Sequence, residues 1–509
     1  MSTDFDIIIL GAGLSGIGTA CHLARECPNR RVSILERRRR IGGTWDLFRY
    51  PGIRSDSDMG TMAFDFAPWT DKQFLGGGSE IREYISAAAA RAGVDRKIQY
   101  GLRCTRAEWS TATGAWTVTA IDDEGEARRF SSAFVVGCTG YYDYDAGFRP
   151  RFTGEERFRG PIAHPQFWPD DLDFAGKTVI VIGSGATAIT LVPALARDAA
   201  HVTMVQRSPS YVMSLPAVDR VSEWLAWVFP RGPVYKLARQ RNLWITRALY
   251  KACRRWPRLM RSFLQWHVRR HVGPDVDMRH FTPRYAPWDE RLCFVPDRDL
   301  FVALREGRAS VETGEIETFT ESGLRMKSGR SIDADVIITA TGLNVQALGG
   351  IELLVDGAPC VPNQRMTYKA VLIEGVPNFA WVFGYTNATW TLKSDIAGRY
   401  LCRLFAHMDA VGADVVVPRA STGDPAPMDT GIFESLRSGY ARRSHAVLPR
   451  QGRASPWRVL MDYERDRRIL LDEPIADAAL QFGRHGAAGE QAVTATAAWP
   501  EKPLIEPAA

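Results

Sequence analysis

Three glycines near the start of the chain carry the first chemical signal. Gly11, Gly13 and Gly16 stand in a G-x-G-x-x-G spacing between an apolar run at residues 5–10 and a helix-like pattern with Ile17, Ala20 and Leu23. The next apolar run ends at Glu36, 20 residues after Gly16. A turn of this kind between strand and helix, followed by an acid at that distance, is built to hold a dinucleotide. Gly11 allows the tight turn, Gly13 lets a pyrophosphate approach the backbone, and Gly16 lets the helix pack on the strand. Ser15 lies within the turn, where the helix N-terminus offers free N–H groups and a positive dipole end to phosphate. Glu36 can accept both hydroxyls of an adenosine ribose and repels a 2′-phosphate, so FAD or NAD fits better than NADP.

A second pattern begins after Lys177. An apolar run at 178–182 leads into Gly183, Ser184, Gly185, Ala186, Thr187 and Ala188, followed by Ile189. Ala188 takes the third fingerprint position, where only helix–strand packing is at stake. The strand that follows ends in Gln206, Arg207 and Ser208, with no carboxylate. Arg207 can form charge-assisted bonds to a 2′-phosphate and Ser208 can donate another, which favours NADP over NAD. Two fingerprints of opposite character imply two dinucleotides, and hence a flavin that receives hydride from NADPH.

Beyond the second strand, Gly42 and Gly43 precede Thr44, Trp45, Asp46 and Leu47, and Arg54, Ser55 and Asp56 follow a Tyr-Pro-Gly-Ile stretch. Paired glycines permit close backbone approach. We read this segment as lying along the bound cofactor, with Trp45 packing on an isoalloxazine ring.

Between the two fingerprints, residues 158–169 read F-R-G-P-I-A-H-P-Q-F-W-P and match F-x-G-x-x-x-H-x-x-x-W-P at every specified position. The match resembles the fingerprint of Baeyer–Villiger monooxygenases, within the class B flavin-dependent monooxygenases. Further stretches extend the resemblance over nearly the whole chain, among them 42–45, 50–56, 287–292, 340–342 and 384–393. The branch it resembles is that of the mycobacterial FAD monooxygenases that activate thioamide prodrugs. Relatives that oxygenate only heteroatoms carry Tyr or Phe where this chain has Trp168, and they remain the alternative reading.

The resemblance implies an NADPH- and dioxygen-dependent enzyme that oxygenates through a C4a-peroxyflavin, turning ketones into esters or lactones and also transferring oxygen to sulfur. It assigns Arg291 as the essential arginine, a fixed positive charge for an enclosed peroxyanion, and Asp56 as the acid that pairs with it. Arg54, Ser55 and Asp56 would lie where FAD and nicotinamide meet. Trp390 would sit near the carbohydrate of NADP, and Cys104 on a strand whose backbone approaches the FAD adenine. His164 would couple domain movement to catalysis rather than act as a base. A small apolar ketone or sulfur-containing molecule and dioxygen are the implied partners.

The elements that must position these groups form an α/β chain with two Rossmann-like dinucleotide-binding domains. The NADP domain is inserted in the FAD domain and itself carries a helical insertion. Residues 1–142 form the first FAD-binding segment, 143–212 the linker and first NADP-binding segment, and 213–284 the helical insertion. Residues 285–342 complete the NADP domain and 343–483 the FAD domain. The stretch 484–509, rich in Ala, Glu and Pro, reads as a disordered tail. At 509 residues the chain is too long for one core.

Its eight cysteines contain no C-x-x-C pair, which removes both a redox dithiol beside the flavin and a zinc-site spacing. With no signal peptide and no spanning segment expected, the reading is cytoplasmic. The net charge is +6, and about thirteen Lys or Arg fall between Arg220 and Arg270 against one acid, Glu223. Aromatic residues are interleaved there. The stretch reads as a helical insertion with a solvated basic face, or alternatively as a peripheral membrane contact or an apolar substrate approach. No recognition motif accompanies the charge, so nucleic-acid binding is not expected.

Overall fold

The computed structural model describes residues 3–290, 292–421, 427–428, 431–433 and 439–485. The expected tail from residue 486 onward lies outside them, as does Arg291.

Two sheets organise the chain. The larger, of eleven strands, runs through Phe5–Leu10, which pairs in parallel with Val32–Glu36 on one side and Ala127–Gly137 on the other. Ile7, Ile8 and Ile9 are fully buried. A central parallel strand is covered on both faces, so it reads as a continuous apolar run rather than an alternating one. Each such side chain contributes about 1.5–3 kcal/mol through burial. The strand Phe379–Trp381, more than 200 residues away in sequence, also pairs in parallel with Ala127–Gly137. The larger sheet therefore draws strands from both ends of the chain. The Trp390–Val411 helix closes it by packing along the Leu14–Glu26 helix.

The smaller sheet has five parallel strands in the order Ala309–Thr313, His201–Gln206, Thr178–Ile182, Val336–Thr339 and Ile162–Ala163. All its residues lie between the two sequence halves of the larger sheet. The chain crosses between the sheets twice. The crossing strands Tyr142–Gly147 and Leu343–Val345 pair with each other, antiparallel. Asn344 reinforces the pair by donating to the carbonyls of Ala146 and Gly147 at 3.2 and 3.3 Å.

A helical layer follows the smaller sheet's second strand: Arg220–Val228, Arg231–Arg255 and Pro257–Val272. The long middle helix packs on the short Met59–Met62 helix of the first half. No helix among the described residues is long and apolar enough to cross a membrane.

Candidate active site: two fingerprints on one cavity

In each sheet the central strand has neighbours on both sides, and the turn after it opens a crevice at the carboxyl ends of the strands, where α/β sheets bind ligands. The two turns superimpose in hydrogen-bond logic. Gly11 N–H donates to the Leu35 carbonyl and Gly183 N–H to the Val205 carbonyl, both at 2.8 Å. A Cβ on Gly11 would lie 2.8 Å from the Cys138 carbonyl oxygen, and one on Gly183 would lie 2.3 Å from that of Ala340. Both residues have positive φ, +105° and +140°. Glycine is therefore required twice over, by backbone conformation and by the neighbouring strand. Gly16 packs its helix against the Gly11 carbonyl with no room for a Cβ.

The helices that follow, Leu14–Glu26 and Ala186–Leu195, start at Gly13 and Gly185 with no side-chain cap and no acid in the first turn. Their first N–H groups stay available for an anion. In the first site, Gly43 closes over the turn: its own Cβ would meet the Gly13 Cα at 2.9 Å, and Gly42 N–H donates to the Ala12 carbonyl at 3.1 Å.

The shared register aligns Glu36 with Gln206. Glu36 is buried, and its carboxylate accepts the N–H of Ala12 at 2.7 Å and of Arg38 at 2.8 Å. Burial pushes its carboxyl above the usual range, opposed by those two bonds. Gln206 has turned to structural duty: its amide donates to the His280 carbonyl at 2.8 Å and to Thr313 Oγ1 at 2.9 Å. Arg207, one residue on, is exposed beyond the strand end. Beside it, Ser184 Oγ donates to the Ser208 carbonyl at 2.8 Å.

A cavity of about 330 Å³ extends from the first turn to the start of the helix that follows the second. Gly11, Gly13, Ser15, Glu36, Thr44, Trp45, Arg54, Ser55, Asp56, Cys104 and Trp390 line it, together with Ala186 and Thr187 of the second fingerprint. Gly16, Asp46, Leu47, Gly183, Ser184, Gly185, Ala188, Ile189, Arg207 and Ser208 do not. Asp46 is occupied elsewhere. Its buried carboxylate faces Arg38 at 2.7 Å, Arg40 at 3.2 Å and Arg82 at 3.5 Å. Leu47 packs with Phe48 and Tyr50 into the core of the smaller sheet.

Residues 47–54 thus join the two halves. Tyr50 lies beside Thr187, and burial pushes its phenol up to about 12. Gly52 sits against Thr190 and Ala194 of the second fingerprint helix. Arg54 is largely buried, and its Nη2 has no hydrogen-bond partner. Asp299 lies 3.7 Å away. Burial pushes the guanidinium down and the Asp299 carboxyl up, each against the other's charge. A buried, underused cation on the wall between two nucleotide turns is suited to an electron-rich ligand group.

Trp390 touches the first fingerprint and lines the cavity that Ala186 and Thr187 of the second also line. Its indole N–H donates to Ser15 Oγ at 2.7 Å, and its ring stacks on Tyr141 at 5.3 Å. Arg291 lies outside the described residues. Its neighbour Asp289 is taken by Arg254 at 2.8 Å and by the Ala286 N–H at 3.3 Å.

Sequence reasoning passed over Arg103, Tyr141 and Tyr144, which also line the cavity. Tyr141 and Tyr144 follow the Thr139-Gly140 crossover, and aromatic enrichment there was the one available signal.

The motif at 158–169 lies at the paired crossovers. His164 Nδ1 accepts the Gln166 N–H at 3.2 Å, which leaves Nε2 to donate to the Gly342 carbonyl, also at 3.2 Å. A Cβ on Gly147 would lie 2.2 Å from the His164 ring. The imidazole therefore touches both crossing segments.

These features coincide with what comparison finds. Residues 6–347 match the family model described as flavin-binding monooxygenase-like. The chain belongs to that family. It is 57% identical over 487 residues to MymA of Mycobacterium tuberculosis, spanning 95% of this chain and 98% of MymA. It is 46% identical over 489 residues to the FAD-containing monooxygenase EthA of the same organism, spanning 96% of this chain and 99% of EthA.

Among solved structures, an oxidised steroid monooxygenase bound to NADP aligns with a TM-score of 0.73 at 22% identity. The alignment covers 94% of this chain and 99% of that one. The complex of OTEMO with FAD and NADP aligns at 0.67 and 21% identity, covering 82% and 87%. At such identities the structures establish the shared two-nucleotide fold.

Proposed function

We propose that this flavin monooxygenase uses FAD, NADPH and dioxygen to carry out Baeyer–Villiger oxidation of ketones, with oxygen transfer to sulfur as a secondary activity. The observation that carries the reading is the shared cavity: Gly13 of one fingerprint and Thr187 of the other line the same space. Two dinucleotides held there would bring a nicotinamide and a flavin together. The FAD-containing relatives and the NADP-bound neighbours support the identity of both.

The residues fit a bound FAD. Glu36 and Cys104 line the cavity at the ends of their strands, Gly13 and Gly43 offer bare backbone beside the helix N-terminus, and Trp45 and Ser55–Asp56 complete the wall. The chemistry FAD supplies when bound is two-electron reduction followed by activation of dioxygen. The chain supplies the rest. Arg54 would orient the nicotinamide side, and Trp45, Met62 and Trp390 would exclude water from the reacting end. Arg291, held by Asp56, would supply fixed positive charge for a developing anion. Ketone chemistry is favoured by the complete 158–169 motif, Trp168 and Pro169 included.

Anaerobic mixing of the FAD-loaded protein with NADPH tests the reading at its first step. The flavin absorbance should bleach within seconds; a flavin that stays oxidised overturns the proposal. In Arg291→Ala the bleaching should persist, while product formation falls at least about a hundredfold, the cost typical of losing one charge-stabilising donor.

A further inference from the structure

The insertion at 220–272 exposes an unusual surface. Among the described residues every exposed tryptophan lies within it: Trp224, Trp227, Trp244, Trp256 and Trp266. Trp227 is 87% exposed and Trp244 72%. Elsewhere among the described residues no tryptophan is exposed, and the exposed large aromatics are Tyr100 and Phe167. The exposed apolar residues recur at helical spacing. Leu259, Phe263 and Trp266 follow i, i+4, i+7, and Trp224, Trp227 and Val228 follow i, i+3, i+4. The Arg231–Arg255 and Pro257–Val272 helices bury residues on one side and expose apolar ones on the other, while the Arg220–Val228 helix, with no buried residue, turns its stripe to solvent.

Charge accompanies the stripes. Glu223 is the one acid between 220 and 270. Several arginines there have protein partners: Arg241 pairs with Asp219, Arg254 with Asp289 and Arg247 with Asp462. Lys236, Lys251, Arg255, Arg258 and Arg269 are exposed and form no ion pair with a described residue. Unpaired cations beside exposed indoles are complementary to one kind of surface. The indole ring prefers the boundary between headgroup and acyl chain, and lysine and arginine prefer anionic headgroups. The Arg231–Arg255 helix, although 25 residues long, is too rich in charge to span a bilayer.

From these observations we infer that the outer face of the 220–272 helices docks in the plane of an anionic lipid bilayer. The docked layer is tied to the cavity wall. Arg239 Nη1 donates to the carbonyls of Gly60 and Ala63 at 2.9 and 2.8 Å, and Asn242 donates to Asp58 Oδ1 at 2.7 Å. Asp58 in turn caps the Met59–Met62 helix, and Met62 and Ser55–Ser57 line the cavity. A lipid-docked insertion would hold that wall near the bilayer, where apolar molecules collect. The docking itself does not depend on which oxygenation the enzyme performs.

Sedimentation of the FAD-loaded full chain with lipid vesicles tests the inference. Vesicles of phosphatidylcholine with phosphatidylglycerol should carry down at least about tenfold more protein than phosphatidylcholine alone, and added salt should reduce the difference. The variant Trp227→Ser/Trp244→Ser/Trp266→Ser should lose at least about tenfold of that binding while keeping its flavin absorbance and melting temperature. If that variant fails to fold, Trp227→Ser alone should lose several-fold, and brominated lipid should quench wild-type tryptophan fluorescence. Lys251→Gln/Arg255→Gln/Arg258→Gln should lose the preference for anionic lipid. A wild-type protein that stays in the supernatant with anionic vesicles overturns the inference, as does a triple tryptophan variant that binds like wild type. A dimer that the same variant dissociates, without vesicle binding, would assign the face to a second copy instead and also overturn it.

Discussion

His164 Nε2 lies 3.2 Å from the carbonyl oxygen of Gly342, at the point where the chain returns from the smaller sheet to the larger. The other crossing strand presses on the same ring through Gly147. One neutral imidazole thus pins both connections between the nucleotide folds. A change in its bonding would alter how the two folds sit, without touching any ligand. His164→Ala should keep bound FAD but lower the rate of flavin reduction by NADPH about tenfold or more, because a small misplacement of reacting groups has that effect. Stopped-flow reduction with the FAD content measured alongside checks this. Unchanged reduction would leave His164 with a purely structural role.

Arg207 is exposed at the strand end and does not line the cavity. The position equivalent to Glu36 is Gln206, whose amide is already committed to His280 and Thr313. On the proposed reading, discrimination of the 2′-phosphate would fall to Arg207. Arg207→Ala should raise the KM for NADPH by about tenfold or more, the value of a lost charge-assisted bond, and leave that for NADH nearly unchanged. Steady-state kinetics with both nucleotides decides it. Equal effects on the two would remove Arg207 from this role.

Trp390 fastens the carboxyl-terminal half of the chain onto the first fingerprint. Replacing its indole N–H removes the bond to Ser15, worth roughly 1 kcal/mol net. Trp390→Phe should therefore weaken FAD binding about fivefold, measured by fluorescence titration of the apoprotein. An unaltered Kd would mean that the pair does not report on the flavin site.

His22 supplies a stability test with a definite sign. It is 2% exposed and lies 3.3 Å from Asp395 and 3.6 Å from Glu26. Burial opposes its charge, but the bond to Asp395, the nearby Glu26 carboxylate and the Asp395 charge outweigh it and raise the imidazole to about 9, from 6.5. A folded value above the unfolded one means stabilisation that is full below pH 6.5 and lost as pH rises through about 9. His22→Gln should lower the Tm at pH 6.5 and flatten the wild-type fall toward pH 9. Parallel Tm profiles for the two proteins would contradict the assignment. His164 runs the other way. Burial lowers its pKa, so its contribution is lost as pH falls through the ordinary histidine range.

What the sequence made legible was local. The Gly11–Gly13–Gly16 and Gly183–Gly185–Ala188 spacings announce strand, turn and helix within a few residues, and the structure contains both turns, each after a strand paired in parallel on both sides. What it left hidden was tertiary. Trp390 and Ser15 are 375 residues apart and nothing in either neighbourhood predicts their bond. Asp46 follows Thr44 and Trp45 in sequence, and the arginines that gather around its carboxylate come from positions 38, 40, 49 and 82. The exposed indoles of the insertion were visible as aromatic residues. Their outward direction depends on which side of each helix the neighbouring elements cover.

The most direct test of the account is oxygen incorporation into a ketone. Purified FAD-loaded protein would be incubated with NADPH, a cyclic ketone and isotopically heavy dioxygen, and the products examined by mass spectrometry. The account predicts a lactone carrying one heavy oxygen atom, formed with consumption of one NADPH. Sulfoxides from sulfides with no ester or lactone from any ketone would contradict it.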